Sequence, residues 1–244
     1  MAAPDSRPAY YAAGSGGWRD WWTLLHPPYT AWHLAYVVIG ASLAPQVDAG
    51  RLVATLLAFF FAVGVAAHAL DELHGRPLRT QIPSSALIAA AIVGLAAACA
   101  LGVVGVAVVG FELVPFIVIG PLLVVAYNAE LFNGVVHTDT GFALAWGAFP
   151  VLTAYVAQTS SLGVAAVIAA TGAFALSHAQ RSLSTPARML RRRVRHVSGS
   201  VVFLDGTTRP LDSAMLRAPL ERALRAMSWS VVAIAVALAV ARLG

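Results

Sequence analysis

The stretch AAHALDELHGRPLR (66–79) ends a long apolar run with His68, Asp71, Glu72 and His74, then turns into Arg76-Pro77-Leu78-Arg79. Its reading decides the fold. The run that precedes it, from residue 51, is long enough to cross the roughly 30 Å hydrocarbon core of a bilayer as a helix. Ionisable groups at the end of such a helix are costly unless they face a bundle interior, where they mark function. His68, Asp71, Glu72 and Gly75 stand at i, i+3, i+4 and i+7, so one helix face carries them all.

The rest of the chain agrees with a membrane setting. Of its 244 residues 59% are apolar and only 11% charged, with a mean hydropathy of +0.76, whereas a soluble domain carries about a quarter charged residues. One cysteine, Cys99 in an apolar run, excludes a disulfide framework and a Cys-based zinc site. All sixteen basic residues are arginine. They sit in the loops, where such clusters set topology and meet anionic lipid, so no nucleic-acid partner is expected. Trp18, Trp21 and Trp22 read as an interfacial belt, and residues 1–20 lack the form of a cleavable signal.

Seven spanning helices are expected at about 28–47, 51–74, 84–109, 111–135, 140–158, 162–184 and 227–243. With the N-terminus and the loops after helices two, four and six on one side, fourteen of the sixteen arginines fall there, against Arg51 and Arg242 opposite. The positive-inside rule makes that side cytoplasmic, in a bacterial-type plasma membrane. The polar segment 185–226 is expected to be a cytoplasmic excursion. Asp205-Gly206 signals a hairpin there, followed by an amphipathic helix over DSAMLRAPLERALRAM (212–227) before the last span.

Helix one carries His26, Tyr29, His33 and Tyr36 along one stripe; helix four carries Tyr127, Glu130, Gly134 and His137; helix six carries His178, Arg181 and Ser182. In this topology His33, His68, Asp71, Glu72, Glu130, His137 and His178 converge at one depth near the cytoplasmic end. A structural ion pair between Glu130 and Arg181 is the plainer alternative for those two. So many buried groups without partners would cost several kcal/mol, and a metal ion or an anionic substrate accounts for them.

These segments also resemble a known family. HPPYTAWHLAYVVIGASLAP (26–45) looks like the first helix of the UbiA superfamily of intramembrane prenyltransferases. HALDELHGRPLRTQIPSSAL (68–87) falls where that family has its first aspartate-rich motif, with Arg76-Pro77-Leu78 and Ile82 matching and Gln81 in place of a glycine. AYNAELFNGVVHTDTGFALAWGAFPVL (126–152) is similar to the family's helix-four tyrosine segment, at Tyr127 and Gly147. The resemblance spans about residues 26–184. It implies a helical bundle with a cavity open to the cytoplasmic side and the membrane, where two aspartate-rich motifs hold Mg²⁺ and a prenyl diphosphate. Of the first motif only Asp71 remains, with His68 and Gly75 at its outer positions, and LSHAQRSLSTPAR (176–188) replaces the second.

Imidazoles in place of carboxylates turn a site from Mg²⁺ toward Fe, Zn, Mn or Cu. The first expectation is therefore an all-α integral membrane metalloenzyme on a UbiA-like bundle, acting on a lipid-like or isoprenoid substrate. His33, His68, Glu72, Glu130, His137 and His178 would hold one or two transition-metal ions, preferably iron for oxidation. Asp71, Tyr127 and Arg181 would take part in the chemistry. The second expectation is a divergent Mg²⁺-dependent prenyltransferase or terpene-cyclase-like enzyme, with Arg76, Arg79 and Arg181 on the diphosphate. The third is a non-enzymatic membrane subunit that binds haem, a quinone or a partner protein.

Overall fold

The computed structural model describes residues 8–243; Arg7, one of the fourteen arginines above, lies outside them. The short α1 (Trp18–Leu24) leads into α2 (Pro27–Ser42), which Pro27 and Pro28 open at the positions where a missing N–H costs nothing. There follow α3 (Ala49–Leu73), α4 (Ser84–Val109), α5 (Phe111–Asn128), α6 (Asp139–Thr159), α7 (Val164–Arg192) and α8 (Ser213–Leu243). Five of these, α3, α4, α5, α6 and α8, are long and apolar enough to cross a bilayer. The architecture is that of an all-helical membrane protein.

Local chemistry sets the boundaries. Asp48 caps α3 by accepting the Arg51 N–H at 2.9 Å. Gly110, at φ 127°, breaks the apolar run between α4 and α5. Thr138 caps α6 by accepting the Gly141 N–H at 3.0 Å, which leaves the neighbouring Asp139 free for another partner. Two helices contain a wider, π-helical stretch: Phe60–Ala67 within α3 and Leu144–Ala148 within α6. Such stretches are frequent at functional sites.

Small residues let the helices approach closely. A Cβ on Gly40 would fall on the Val151 carbonyl, joining α2 to α6, and one on Gly147 would fall on the Ala173 carbonyl and Ser177 of α7. Trp32, Tyr36, Val37 and Val151 are fully buried behind these seams. Trp32 donates to the Tyr36 hydroxyl at 2.7 Å, and Ser177 donates to the same oxygen at 3.1 Å.

Three boundaries differ from the sequence expectation. The fourth helix ends at Asn128, not 135, because Glu130, Asn133 and Gly134 take left-handed conformations (φ 48°, 60° and 73°) and turn the chain. The sixth runs through Pro186 to Arg192. The amphipathic segment after 212 is continuous with the last span in α8. The excursion is thus confined to residues 193–212, where Ser200–Val202 pairs antiparallel with Thr208–Pro210. Its turn is at Asp205-Gly206: Gly206 has φ 81°, and Asp205 accepts from the Thr207 N–H at 2.9 Å and its hydroxyl at 2.6 Å.

The two isolated arginines mark one end of the bundle. Arg242 donates to the Ser42 carbonyl at 2.9 Å and Arg51 to that of Gln158 at 3.2 Å. The remaining described arginines lie toward the other end.

Candidate active site

A cavity of about 680 Å³ lies at the arginine-rich end, between α2, α3, α6, α7 and the N-terminal segment. Its walls bring together His26, His33, His68, Asp71, His74, Tyr127, Glu130, His137, Arg181, Arg188 and Arg192.

The imidazoles are held in a repeated way. His33 donates through Nδ1 to the Trp146 carbonyl at 2.9 Å, His68 to that of Gly64 at 3.1 Å, and His137 to that of Tyr127 at 2.8 Å. A carbonyl only accepts, so each ring carries a proton on Nδ1, and in its neutral form the lone pair is on Nε2. Two of these carbonyls, Gly64 and Trp146, belong to the π-helical stretches. His68 also stacks on His26, with ring centroids 4.2 Å apart and planes at 15°, and His137 stacks on Tyr127 at 4.4 Å.

His26 lies just before α2 with φ 46°, and its Nδ1 is 2.7 Å from the Tyr11 hydroxyl. Burial, then the charges of His68, Arg192 and Arg188, push its pKa well below the ordinary 6.5. Burial likewise pushes the Tyr11 hydroxyl up. The Tyr11 segment forms one wall of the cavity: Arg192 donates to the Pro8 carbonyl at 3.1 Å, and Arg225 lies over the Tyr10 ring at 4.7 Å.

Charge in the cavity is unevenly matched. Arg181 donates to Asp139 at 2.8 Å and lies over the Phe142 ring at 5.3 Å, so Asp139, not Glu130, is its partner. Glu130 is near His74 (3.8 Å) and His137 (4.0 Å) at a half-exposed position. Arg188 makes no hydrogen bond among the described residues, although its guanidinium faces Arg181, Arg192, Tyr29 and Asp71. It is reached through the cavity yet enclosed by protein. Burial, with Arg181 and Arg192 beside it, lowers its pKa. Among the described residues the buried Tyr127 hydroxyl, Gln180 Oε1 and His26 Nε2 also lack partners.

Four of the expected residues are elsewhere. Glu72 is fully buried, its oxygens taken by the Leu78 N–H (2.9 Å), the Thr80 N–H (2.9 Å) and the Thr80 hydroxyl (2.9 Å). It holds the loop after α3 rather than a ligand. Arg76 donates to the Ile82 carbonyl and the Ser84 hydroxyl, each at 2.6 Å, and Arg79 is exposed outside the cavity. His178 lies on the outward face of α7 against Phe174. Among the described residues no three His, Cys, Asp or Glu side chains gather as a metal-binding group. Of the six residues expected to hold iron, His33, His68, Glu130 and His137 line the cavity, while Glu72 and His178 do not.

Arg188 and Arg192 lie beyond the sixth span expected from the sequence, 162–184, whereas the helix runs on to Arg192. Arg181, Ser184 and Arg188, at i, i+3 and i+7, already carried the signal of one continuing face. Comparison with protein families, curated proteins and solved structures finds no match to this chain.

Proposed function

We propose that the protein is an intramembrane enzyme acting on a long-chain, isoprenoid-type phosphate or diphosphate, with the phosphate seated among Arg181, Arg188 and Arg192. The observation that carries the reading is Arg188, a guanidinium without a hydrogen bond among the described residues, held beside two others on the cavity wall. Three guanidiniums side by side on one cavity wall, of which Arg181 is paired with Asp139, favour an anion, and guanidinium suits phosphate oxygens. With Asp139 on Arg181, Asp71 is the carboxylate that acts on Arg188. In chain transfer the carbon–oxygen bond breaks with its electron pair going to the phosphate, whose charge the arginines neutralise. The proton of the incoming nucleophile passes to Asp71 or to a free Nε2 of His33, His68 or His137.

The test is thermal stabilisation of the detergent-solubilised chain by farnesyl phosphate against farnesol. The phosphate is expected to raise the Tm and farnesol to do little. Arg188→Ala is expected to abolish the difference, and Arg188→Lys to restore part of it. Equal effects of the two lipids overturn the reading. Stoichiometric iron that disappears on His68→Ala would return the site to metal chemistry.

A further inference from the structure

The three arginines do not account for the whole polar cavity. Arg181, Arg188 and Arg192 all stand on α7, and a guanidinium only donates. Other elements bring acceptors to the same cavity. His33 of α2, His68 of α3 and His137 before α6 each spend Nδ1 on a backbone carbonyl, at 2.9, 3.1 and 2.8 Å. In its neutral form each ring therefore keeps a lone pair on Nε2. Among the described residues none of these three Nε2 atoms has a partner, and none is sealed in protein as the His26 Nε2 is.

Asp71 adds a carboxylate that makes no hydrogen bond among the described residues. It lies within electrostatic reach of Arg188, Arg192 and His137, and His68 within reach of His33, so the acceptors adjoin the arginines. A phosphate bound by the arginines cannot satisfy these groups, because its oxygens are acceptors too. Room remains for a group that can. At about 680 Å³ the cavity has the size of a site for a whole small molecule, roughly 300–1,000 Å³. A second cavity, of about 340 Å³ between α3, α4, α5 and α6, is lined mainly by apolar side chains and by no imidazole among the described residues. The free acceptors are thus gathered beside the arginines.

We infer that the polar cavity seats a polyol beside the phosphate, with hydroxyl groups donating to Nε2 of His33, His68 and His137 and to Asp71. The inference rests on Arg181, Arg188 and Arg192 as the phosphate seat. A hydroxyl suits these partners because it gives one proton and brings no charge. Of the four acceptors only Asp71 is charged, so an ammonium group would find one counter-ion and three neutral rings. Each ring is pinned through Nδ1 to a carbonyl, so the direction of its lone pair is set before the ligand arrives and little ordering is left to the binding step.

Propyl phosphate, glycerol phosphate and phosphoethanolamine share the anionic anchor and differ in what the short chain carries. Their binding to the full chain in nanodiscs is measured at about pH 8, where an ordinary imidazole is neutral, with propanol and glycerol in parallel. Glycerol phosphate is expected to bind about tenfold tighter than propyl phosphate, the worth of one or two hydroxyl hydrogen bonds. His68→Leu is expected to bring the two ligands toward parity, and His68→Gln, which keeps an acceptor, to retain more of the difference. The wild-type comparison stands even if a variant fails to fold. Equal affinities there overturn the polyol subsite and leave the imidazoles facing water. Phosphoethanolamine as the tightest ligand overturns it in favour of a cation. If the alcohols bind as well as their phosphates, the phosphate reading fails instead, and glycerol against propanol still decides whether hydroxyls are recognised.

Discussion

The two cavities share one helix, α3, and they differ as two solvents do. Toward its start α3 offers Ala54, Ala58 and Ala62 to an apolar space; toward its end it offers Ala67, His68 and Asp71 to a polar one. An unbroken α-helix would continue the alanine stripe at 66 and 70, which are alanine and leucine. The π-helical stretch Phe60–Ala67 adds one residue to the turn, so the stripe passes from Ala62 to Ala67 and then to Asp71. One wide turn thus aims a carboxylate along the line that the alanines define. The lesson concerns alignment: a polar cavity and an apolar one share a helix whose local unwinding sets which residues face each.

The most damaging way to break this contrast is to release the polar end from its loop. Glu72 faces away from the cavity and accepts three hydrogen bonds from Leu78 and Thr80. Glu72→Ala leaves those buried donors unpaired, at a cost of roughly 3 kcal/mol or more. Glu72→Gln retains an acceptor and should lose less. Chemical unfolding in detergent measures both, and a Glu72→Ala protein as stable as wild type would return Glu72 to the list of candidate ligands.

That residue also shows how far the sequence was legible. His68, Asp71 and Glu72 read correctly as one end of a spanning helix, and the cavity does form where the polar positions of helices two, four and six meet. Spacing alone placed Asp71 and Glu72 together, yet the structure sends one into the cavity and the other into a loop. What separates them is the π turn and the backbone N–H groups of residues 78 and 80, and neither leaves a mark in side-chain periodicity. The left-handed turns at Glu130 and Asn133 were hidden for a different reason, since neither position is a glycine. Hydropathy located the helices because burial in lipid acts on every residue alike, whereas the aim of a single side chain depends on one backbone turn.

A smaller effect separates sealed seams from open space. Gly40 has no room for a methyl group, because its Cβ would meet the Val151 backbone, while at Gly120, which lines the apolar cavity, the nearest atom is Phe149 Cε1 at 3.5 Å. Gly40→Ala is expected to cost about 1–3 kcal/mol by forcing α2 from α6. Gly120→Ala should be neutral or stabilising by up to about 1 kcal/mol, through helix propensity. Equal losses at both positions would mean that the apolar cavity is no more open than the seam.

The smallest expected effect is at the wall of the polar cavity where the N-terminal segment meets His26. In the folded protein His26 resists protonation: burial and the facing groups His68, Arg192, Arg188 and His33 hold its pKa well below 6.5, and Tyr11 occupies Nδ1. The unfolded chain therefore binds more protons at this position as the pH falls below about 6.5, and stability declines with acidification in that window. His26→Asn keeps a side chain suited to φ 46° while removing the imidazole. Between pH 7 and pH 5 its Tm should fall less steeply than that of the wild type, the remaining slope coming from the groups that both proteins share. Parallel pH profiles would show that this wall opens to water before the bundle unfolds, with His26 titrating there as an exposed histidine does.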